Sequence, residues 1–478
     1  MMKNGAKQMR TGEEMKMKEF ETLQDKYVMV AGAGRSGVAS TGLLIRNGAK
    51  VMLYDQNEKL DVEKLLSGFS APEKVSVVTG ELKKTDLKDV DLMVISPGIS
   101  PKLPFVDLVR EAGIPIWGEI ELASFYNKGR IAAITGTNGK TTTTTLTGEI
   151  FRHVAPESLI VGNIGLPFTQ FADATNEKTL VAAEISSFQL ETVYTFHPHV
   201  AVITNLTPDH LDRHGSFENY AALKFEIAKN MTKDDVMILN YDDPEVRARK
   251  DLVKNARVVW FSHETEPEEG AFVRDGKIIV RDQGEEHEIL LVKSIRILGE
   301  HNLENVLASV LLTYYMDIPK EIIRDAVMNF MGVEHRIEFV RNVNGVEYYN
   351  DSKGTNPDAA IKALKAMKTT TLLIGGGYDK GNTFDEWVEC FKGKVRYLVL
   401  IGATDPIITR CCKDHGFHEI IHVETLKDAV IFCYNHAMPE DAVLLSPACA
   451  SWDMFKDFEE RGNLFKQYVN ELEEKEFE

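Results

Sequence analysis

A strand, a glycine loop and a helix follow one another from residue 130, and this arrangement constrains the fold more than any other feature of the sequence. RIAAIT (130–135) predicts a buried strand, GTNGK (136–140) is the loop, and a threonine-rich helix follows. In such a unit the backbone N–H groups of the loop and of the first helical turn point at a phosphate. The segment therefore predicts a mononucleotide-binding α/β domain built on a parallel sheet.

The loop differs by one position from the usual spacing G-x-x-x-x-G-K-[ST], because Ile134 stands where the first glycine is expected and the glycine occurs at position 136. We predict that it binds ATP, with the Lys140 ammonium on the β- and γ-phosphates and the Thr141 hydroxyl on Mg²⁺. The loop residues assigned to ATP are Gly136, Thr137, Asn138, Gly139, Lys140, Thr141 and Thr142.

Alternating strands and helices also occur on either side of this segment. YVMVAG (27–32) is followed by a helix over 35–47 and by KVMLY (50–54), and a third series begins at TLLIGG (371–376). Since 478 residues exceed one ordinary core, three α/β domains are expected. The predicted parts are a solvated extension (1–24), a Rossmann-like N-terminal domain (25–118), a central P-loop domain (119–332) and a Rossmann-like C-terminal domain (333–478).

Composition excludes several classes of protein. A formal net charge of -18 opposes a broad nucleic-acid surface, and no run of 18 apolar residues could span a bilayer. The five cysteines show no C-x-x-C spacing, which favours reduced thiols over disulfides or a zinc site. No signal peptide is apparent at the N-terminus, so a cytoplasmic protein is expected.

Polar residues follow the predicted strands of the central domain. Glu184 closes TLVAAE (179–184) and is a candidate Mg²⁺ ligand, and His210 comes soon after HVAVIT (199–204), at the rim where open α/β sheets bind ligands. Lys224, on a predicted helix, is by itself a surface lysine. In the N-terminal domain, Gly32-x-Gly34-x-x-Gly37 with Asp55 would alone suggest an NAD site.

Several motifs together resemble those of the Mur ligases, from about residue 26 to the end. NDSKGTNPDA (350–359) and SPACASWDMFKDFEERG (446–462) are most similar to the member of this family that adds D-glutamate to UDP-N-acetylmuramoyl-L-alanine. The resemblance implies an ATP-dependent ligase of peptidoglycan precursor synthesis that works through an acyl phosphate. The other matching segments are TGTNGKTTTT (135–144), NIGLP (163–167), SSFQLE (186–191), NLTPDHLDRH (205–214), GEHNLENVLAS (299–309), EHRIE (334–338) and GGYDKG (376–381).

The resemblance also implies roles for individual residues. Lys140, His210 and Lys224 would be catalytic, and two Mg²⁺ ions would be held by Thr141, Glu184, His210 and Lys224, the last as a CO₂-derived carbamate. The UDP-linked substrate would contact Arg35, Ser36, Asp55, Asn163 and His210. The rest of the ATP would contact Asn302, Asn305, Arg336 and Asp351. D-glutamate would contact Lys353, Thr355, Lys380, Ser451 and Phe458.

Two positions depart from the family pattern. Gly354 stands where alanine is usual, and Trp452 stands where a smaller apolar residue or phenylalanine is common. Three alternatives stay open from sequence: an NAD-dependent oxidoreductase, a regulatory P-loop NTPase, and a related ligase with another amino acid, as in folylpolyglutamate synthesis. No N-K-x-D element supports the second. The expected partners are small molecules only, and the expected state is a monomer.

Overall fold

The computed structural model describes residues 20–473, apart from the side chain of Asp212. The strands are β1 (Tyr27–Ala31), β2 (Lys50–Asp55), β3 (Val75–Thr79), β4 (Leu92–Ile95), β5 (Ile116–Gly118), β6 (Arg130–Thr135), β7 (Leu159–Gly162), β8 (Leu180–Glu184), β9 (Val200–Ile203), β10 (Val236–Asn240), β11 (Arg257–Ser262), β12 (Gly270–Arg274), β13 (Lys277–Asp282), β14 (Glu285–Leu291), β15 (Glu338–Val343), β16 (Val346–Asn350), β17 (Thr371–Gly375), β18 (Val395–Leu400), β19 (Ile420–His422) and β20 (Ala442–Leu445).

The α-helices alternate with these strands, as the sequence predicts. They are α1 (Arg35–Arg46), α2 (Val62–Ser67), α3 (Pro104–Glu111), α4 (Glu119–Tyr126), α5 (Lys140–Arg152), α6 (Ser187–Leu190), α7 (Leu211–His214), α8 (Phe217–Phe225), α9 (Pro244–Ala248), α10 (Glu300–Tyr314), α11 (Lys320–Asn329), α12 (Pro357–Ala366), α13 (Asp385–Glu389), α14 (Asp405–Asp414), α15 (Leu426–His436) and α16 (Phe458–Asn470).

The chain divides into two compact units. The first unit comprises the described residues up to Leu290 together with Glu304–Ala326, and the second comprises Leu291–Leu303 and the described residues from Val327. The first unit holds a five-stranded parallel sheet in the order β3-β2-β1-β4-β5. It also holds most of a nine-stranded sheet, in the order β14-β13-β12-β11-β10-β9-β6-β8-β7. Along this order, every pair of neighbouring strands from β12 to β7 is parallel.

The second unit is built on a six-stranded sheet in the order β15-β16-β20-β17-β18-β19. Only β15 runs antiparallel, against β16, and the other neighbours are parallel. The residues of β17 and β20 are all buried, because helices cover both faces of the sheet, and this explains the unbroken apolar runs in the sequence.

Side-chain caps set the start of the helices that carry candidate site residues. The Ser216 hydroxyl accepts a hydrogen bond from the Asn219 amide before α8, and the Asn356 side chain accepts one from the Ala359 amide before α12. The Asp457 carboxylate does the same at the start of α16. Each cap pairs a backbone N–H group that would otherwise lack a partner, so these short polar residues determine where the helix begins.

Two predictions about the edges of the first unit have different outcomes. Asp275-Gly276, between two strand-like runs, predicts a β-hairpin. This prediction is confirmed, since β12 and β13 pair antiparallel around these two residues, which have φ values of 50° and 70°. The prediction of a solvated extension over 1–24 is wrong for the last residues of that range. Leu23 is fully buried and Phe20 packs edge-on against Trp117, because apolar side chains gain free energy by joining the core. Residues 1–19 lie outside the described residues.

The glycine loop after β1 allows a stability prediction with a matched control. A Cβ on Gly37 would lie 1.7 Å from the Gly32 carbonyl oxygen, whereas a Cβ on Gly34 would meet no atom within 4 Å. Gly37→Ala should destabilise this sheet by about 3 kcal/mol, the upper range for overpacking, and Gly34→Ala by about 0.5 kcal/mol. Hydrogen exchange of the β1 amides measures both changes. Equal protection in the two variants would show that the close approach costs nothing.

Candidate functional site

The phosphate loop lies between β6 and α5, and its two glycines take conformations that other residues rarely adopt. Gly136 has φ 139° and Gly139 has φ 85°. A Cβ on Gly136 would lie 2.0 Å from the Thr204 hydroxyl oxygen, and one on Gly139 would lie 2.2 Å from the Asn305 Oδ1. The loop can therefore follow this path only with glycine at both positions, which leaves its backbone open to a ligand.

Asn205, just past the neighbouring strand β9, holds the loop in place. Its carbonyl oxygen accepts the Thr137 amide at 2.9 Å, its Oδ1 accepts the Asn138 amide at 2.8 Å, and its Nδ2 donates to the Asn138 carbonyl at 3.0 Å. The Thr204 hydroxyl also donates to that carbonyl, at 2.6 Å. Because β6 and β9 are parallel neighbours, their ends meet, and these hydrogen bonds fix the path of the loop.

Lys140 and the first turn of α5 lie where a phosphate would bind. The Lys140 ammonium donates to the carbonyl oxygens of Gly136 and Thr137, at 3.0 and 2.8 Å, so it lies across the loop. Thr141 is half-buried and Thr142 is buried. Asn305, on α10, supports the same turn, since its Oδ1 lies 3.4 Å from the Thr143 hydroxyl. Helix N-terminus, ammonium and hydroxyl together form an anion site.

Glu184 ends β8, as predicted, and is buried with one oxygen unpartnered. Its Oε1 accepts a hydrogen bond from Asn163 Nδ2 at 2.7 Å. Its Oε2 is buried and has no hydrogen-bond partner among the described residues. A buried carboxylate oxygen without a partner carries a large desolvation cost, which a cation would offset.

Lys224 is buried, although the sequence alone suggests a surface lysine. Its side chain is 1% exposed, its Nζ lies 3.4 Å from the Thr135 hydroxyl, and it lies 4.8 Å from the centre of the Tyr220 ring. Burial, with the Lys140 charge adding to it, holds the pKa of Lys224 well below its usual value, although Asp209 and Glu184 oppose this. The amine is therefore poised to lose its charge beside the phosphate loop.

His210 occupies a more exposed position than Lys224. It has φ 49°, its ring packs 4.8 Å from the Phe188 ring, and its Nε2 lies 3.5 Å from Asp209 Oδ2. The following helix α7 is fixed by Arg213, which donates to the carbonyls of Pro97 and Ile99, both at 3.2 Å, and pairs with Glu191. This arginine ties the segment that carries His210 to the loop after β4.

A cavity of about 500 Å³ opens in the first unit at the carboxyl end of the five-stranded sheet. Four of the five residues predicted to bind the UDP-linked substrate line it, namely Arg35, Ser36, Asp55 and Asn163. His210 is absent from the described lining. Asp55 has a structural task as well, because its two oxygens accept the backbone amides of Ala33 and Asn57, at 2.8 and 2.9 Å.

In the second unit, the predicted D-glutamate residues follow three adjacent parallel strands, β16, β20 and β17. Lys353 and Thr355 come after β16, Ser451 and Phe458 after β20, and Lys380 after β17. They therefore lie along one edge of the sheet, where such sheets bind ligands. The lysines each lie over an aromatic ring, Lys353 at 5.7 Å from the centre of Phe458 and Lys380 at 5.1 Å from that of Trp452.

The two residues that depart from the family pattern both contact this edge. Trp452 is 62% exposed and packs against Tyr378, with ring centres 5.6 Å apart. A Cβ on Gly354 would lie 2.4 Å from Asp351 Oδ2, so the glycine makes room for this carboxylate. Both substitutions thus change contacts of residues assigned to ligands.

Three residues predicted to contact ATP belong to the second unit. The Nε of Arg336 is buried and has no hydrogen-bond partner among the described residues, and its neighbours His335 and Ile337 have φ values of 64° and 46°. Such strained backbone in a β-branched residue is typical of functional segments. Asn302 donates to the Leu298 carbonyl at 2.7 Å. Asp351 is buried, accepting the Ser446 hydroxyl at 2.7 Å.

Asp351 should make stability depend on pH. An unfolded aspartate titrates near about 4, whereas burial raises the pKa of Asp351 to about 7, against the opposing effects of Ser446 and Arg336. The folded protein therefore holds a proton that the unfolded chain releases, and this carboxyl costs progressively more stability as pH rises between these values. Asp351→Asn should raise the unfolding free energy at both pH values, and by about 3 kcal/mol more at pH 8 than at pH 5.

Urea unfolding of the second unit at the two pH values, for the parent and the Asp351→Asn variant, measures this difference. A gain that is the same at both values would contradict the assigned shift. The neighbouring Ser446→Ala variant is the control for loss of the hydrogen bond alone, and it should lower stability.

Comparison with known proteins matches three ranges of the sequence to one family. Residues 26–118 match the N-terminal domain described as Mur ligase MurD-like, residues 134–313 the Mur ligase middle domain, and residues 335–449 the Mur ligase glutamate ligase domain. A UDP-N-acetylmuramoylalanine--D-glutamate ligase of Lachnoclostridium phytofermentans is 48% identical over 449 residues, 94% of this chain and 99% of the relative. The enzyme of that name from Lachnospira eligens is 49% identical, covering 94% and 100%.

The chain belongs to the Mur ligase family. The expected three-domain α/β fold and the ligase class are thereby confirmed.

Solved Mur ligase structures share the fold at low sequence identity. A UDP-N-acetylmuramate-alanine ligase from Thermotoga maritima has a TM-score of 0.56 at 18% identity, with 93% of this chain and 99% of that chain covered. A pseudomurein peptide ligase type C from Methanothermus fervidus has the same TM-score and identity, covering 94% and 100%. In residues 20–473 no helix combines the length and the apolarity needed to cross a bilayer.

Several residues important to the Mur ligase geometry were missed by sequence reasoning. Thr135 and Asp209 surround Lys224, and Arg213 joins two loops of the first unit. In the second unit, Arg461 is fully buried and donates to the Ser352 hydroxyl and to the carbonyls of Ser352, Cys449 and Ala450. Arg461 had a signal, since an arginine within the matching segment at 446–462 is unusual in a buried helix. Thr135, Asp209 and Arg213 also lie within matching segments, at 135–144 and 205–214, but nothing in those segments indicates their contacts.

Proposed function

We propose that this chain joins D-glutamate to UDP-N-acetylmuramoyl-L-alanine, using ATP and an acyl-phosphate intermediate, in the synthesis of peptidoglycan precursors. Relatives from two organisms that carry the name UDP-N-acetylmuramoylalanine--D-glutamate ligase align over 94% of the chain, which supports this substrate pair over that of other family members. The reaction needs three groups: a phosphate donor, a carboxylate substrate and an amine.

The single observation that carries the proposal is Lys224. A buried lysine with a strongly lowered pKa, beside the phosphate loop, has no use as a counter-charge. An uncharged amine can instead add CO₂, giving a carbamate and releasing one proton. The cationic side chain then becomes a carboxylate-like oxygen donor next to Thr135, of the kind that hard cations prefer.

The residues around Lys224 fit divalent cations. The buried, unpartnered Oε2 of Glu184 is a suitable oxygen ligand, and Thr141, His210 and the carbamate on Lys224 would complete the sites for two Mg²⁺ ions. When bound there, Mg²⁺ would neutralise charge on the transferring phosphoryl group. Asn163, which donates to the other Glu184 oxygen at 2.7 Å, keeps that carboxylate oriented.

The side chains of this protein would act on the reaction by binding and orienting the reacting groups. The alanyl carboxylate attacks the γ-phosphorus of ATP, ADP leaves, and the amine of D-glutamate then displaces phosphate from the acyl carbon and loses a proton. Lys140 would hold the transferring phosphoryl group in place of its present contacts with Gly136 and Thr137. Catalysis would come chiefly from positioning and charge stabilisation.

Substrate recognition would be divided in the same way. The cavity lined by Arg35, Ser36, Asp55 and Asn163 would take the UDP-linked substrate, with the arginine and the loop amides on the diphosphate. D-glutamate carries two carboxylates, and the ammonium groups of Lys353 and Lys380 with the hydroxyls of Thr355 and Ser451 supply the charges and donors it needs. Phe458 lies beneath Lys353.

The domain boundaries, the nucleotide contacts and the oligomeric state are further parts of the proposal. We infer domain boundaries at 25–118, 119–332 and 333–478, and contacts of Asn302, Asn305, Arg336 and Asp351 with the nucleotide. We also propose that the protein works as a monomer in the cytoplasm, where ATP and UDP-sugars are made.

Phosphate release tests the proposed reaction. The protein is incubated with ATP, UDP-N-acetylmuramoyl-L-alanine and D-glutamate, and each component is omitted in turn. Release that requires all three, with a product heavier by one glutamyl residue, is the expected result. L-glutamate is the matched control for the amino acid and should not be used. Equal release with another amino acid, or release without the UDP-sugar, would overturn the assignment.

A further inference from the structure

Four side chains with metal-ligating atoms lie together on the second unit, and none of them is assigned above to the reaction. Asp385 and Glu389 are one turn apart on α13. Cys411 lies on α14, and His415 follows one turn later as its C-terminal cap. The two helices pack on the same core, which contains Trp387 from one and Cys412 from the other.

The separations between these side chains suit one metal ion. His415 Nε2 lies 3.7 Å from Asp385 Oδ1 and 3.8 Å from Glu389 Oε1. One ligand atom from each of Asp385, Cys411 and His415 lies within 4.8 Å of the other two. Ligands of a tetrahedral zinc ion, with bonds of about 2.0–2.3 Å, are separated by about 3.3–3.8 Å. Cys411 Sγ lies 3.9 Å from His415 Nδ1, so an ion held by Nε2 would need the thiol to move towards that nitrogen.

The tautomer of His415 supports a cation at this place. Its Nδ1 lies 2.9 Å from the Cys411 carbonyl oxygen, and since a carbonyl can only accept, Nδ1 carries the proton. Nε2 is then the nitrogen that faces the carboxylates of Asp385 and Glu389. Histidine ligands of metals commonly donate their other N–H group to a backbone carbonyl in this way.

Cys411 is the thiol that the site can use. It is half-buried, whereas Cys412, Cys433 and Cys449 are buried in the core. Burial, with Asp385 and Asp414 adding to it, raises the pKa of Cys411 to about 11, so the metal-free thiol is protonated. Asp385 and Glu389 are each more than half exposed, which gives an ion a path from solvent.

We propose that Cys411, His415, Asp385 and Glu389 form a zinc-binding site that ties α13 to α14, separate from the ligase chemistry. Thiolate, imidazole and carboxylate donors together favour Zn²⁺ over Mg²⁺, which avoids sulfur. Binding forms a sulfur–metal bond and releases the thiol proton to solvent. The ion would fix the helices to each other and so stabilise the second unit.

Cobalt provides the direct test, because Co²⁺ takes the place of Zn²⁺ and reports its ligands in the visible and near-ultraviolet spectrum. Full-length protein without a histidine tag is treated with a chelator and titrated with Co²⁺. The expected result is a thiolate-to-cobalt charge-transfer band that saturates at one equivalent and is removed by Zn²⁺. Zinc should also raise the thermal unfolding temperature and release about one proton per ion at pH 8.

Variants separate this site from other sources of the same signal. Cys411→Ser and His415→Ala should each remove the band, whereas His422→Ala should not, although His422 forms a comparable pair with Asp405 on α14. The cluster of Asp242, His263 and Glu304 in the first unit contains no thiol and cannot give this band. A band that survives in Cys411→Ser but is lost in Cys390→Ser, or no band at all, would overturn the proposal.

Discussion

Lys140→Ala should lower the rate of ATP-dependent phosphate release by about a hundred- to a thousandfold, since removing one group that stabilises transition-state charge has effects of about this size. The fold should survive, because Lys140 is only half-buried and its contacts are with carbonyls of the loop itself. Steady-state kinetics with saturating substrates, together with hydrogen exchange of β6 to show an intact strand, measures both halves of this prediction.

The control for Lys140→Ala is Lys178→Ala, which removes an exposed ammonium from a turn of the same unit and should leave the rate unchanged. If Lys140→Ala retained a tenth or more of the parental rate, the loop would not be the phosphate site. A loss caused by unfolding would be recognised by loss of protection in β6.

Lys224→Ala should abolish turnover and then recover part of it when a short-chain carboxylic acid is added. The truncation leaves a space beside Thr135, and acetate in that space would supply the oxygen atoms that the carbamate supplies in the parent. Phosphate release measured against acetate concentration tests this. The parent should in addition lose activity when CO₂ and bicarbonate are removed, because the carbamate forms from CO₂ and the uncharged amine.

Lys224→Met is the matched control for the rescue experiment. It removes the amine but fills the same buried space, so it should be inactive with and without acetate. Lys229→Ala, one turn further along the chain, should stay active. Rescue of both Lys224 variants, or of neither, would contradict a carbamate at this position and leave the lysine with a structural role only.

The parts of the site that the sequence could predict are those carried by continuous segments. Gly136 and Gly139, the strand before them and the helix after them are neighbours in sequence, and their geometry follows from local rules. Glu184 was predictable for a related reason, since parallel strands end at the same edge of a sheet. The Asp275-Gly276 turn likewise requires nothing beyond its own residues.

Other features depend on residues that are distant in the sequence. Nothing near Lys224 in the sequence indicates that it is buried, because Thr135 and Lys140 approach it from β6 and α5. Asp55 shows a related limit. The sequence pattern predicts that Asp55 contacts a ligand, but it does not predict that the Asp55 carboxylate accepts two backbone hydrogen bonds. Leu23 was assigned to solvent because the charged residues before it dominate the local composition.

The proposed zinc site also depends on residues from separate helices. The absence of C-x-x-C spacing argued against metal binding by cysteine. Cys411 and His415 are one turn apart in the sequence, but Asp385 joins them only after α13 and α14 pack together. Spacing rules describe ligands that share one loop or helix. Ligands contributed by two helices leave no such pattern.

The transfer of oxygen from substrate to phosphate tests the central claim most directly. UDP-N-acetylmuramoyl-L-alanine labelled with oxygen-18 in its alanyl carboxylate is incubated with the protein, ATP and D-glutamate, and the inorganic phosphate is examined by mass spectrometry. An acyl phosphate requires that one labelled oxygen per turnover leave with the phosphate. Unlabelled phosphate formed together with the amide product would contradict activation of the carboxylate by phosphoryl transfer.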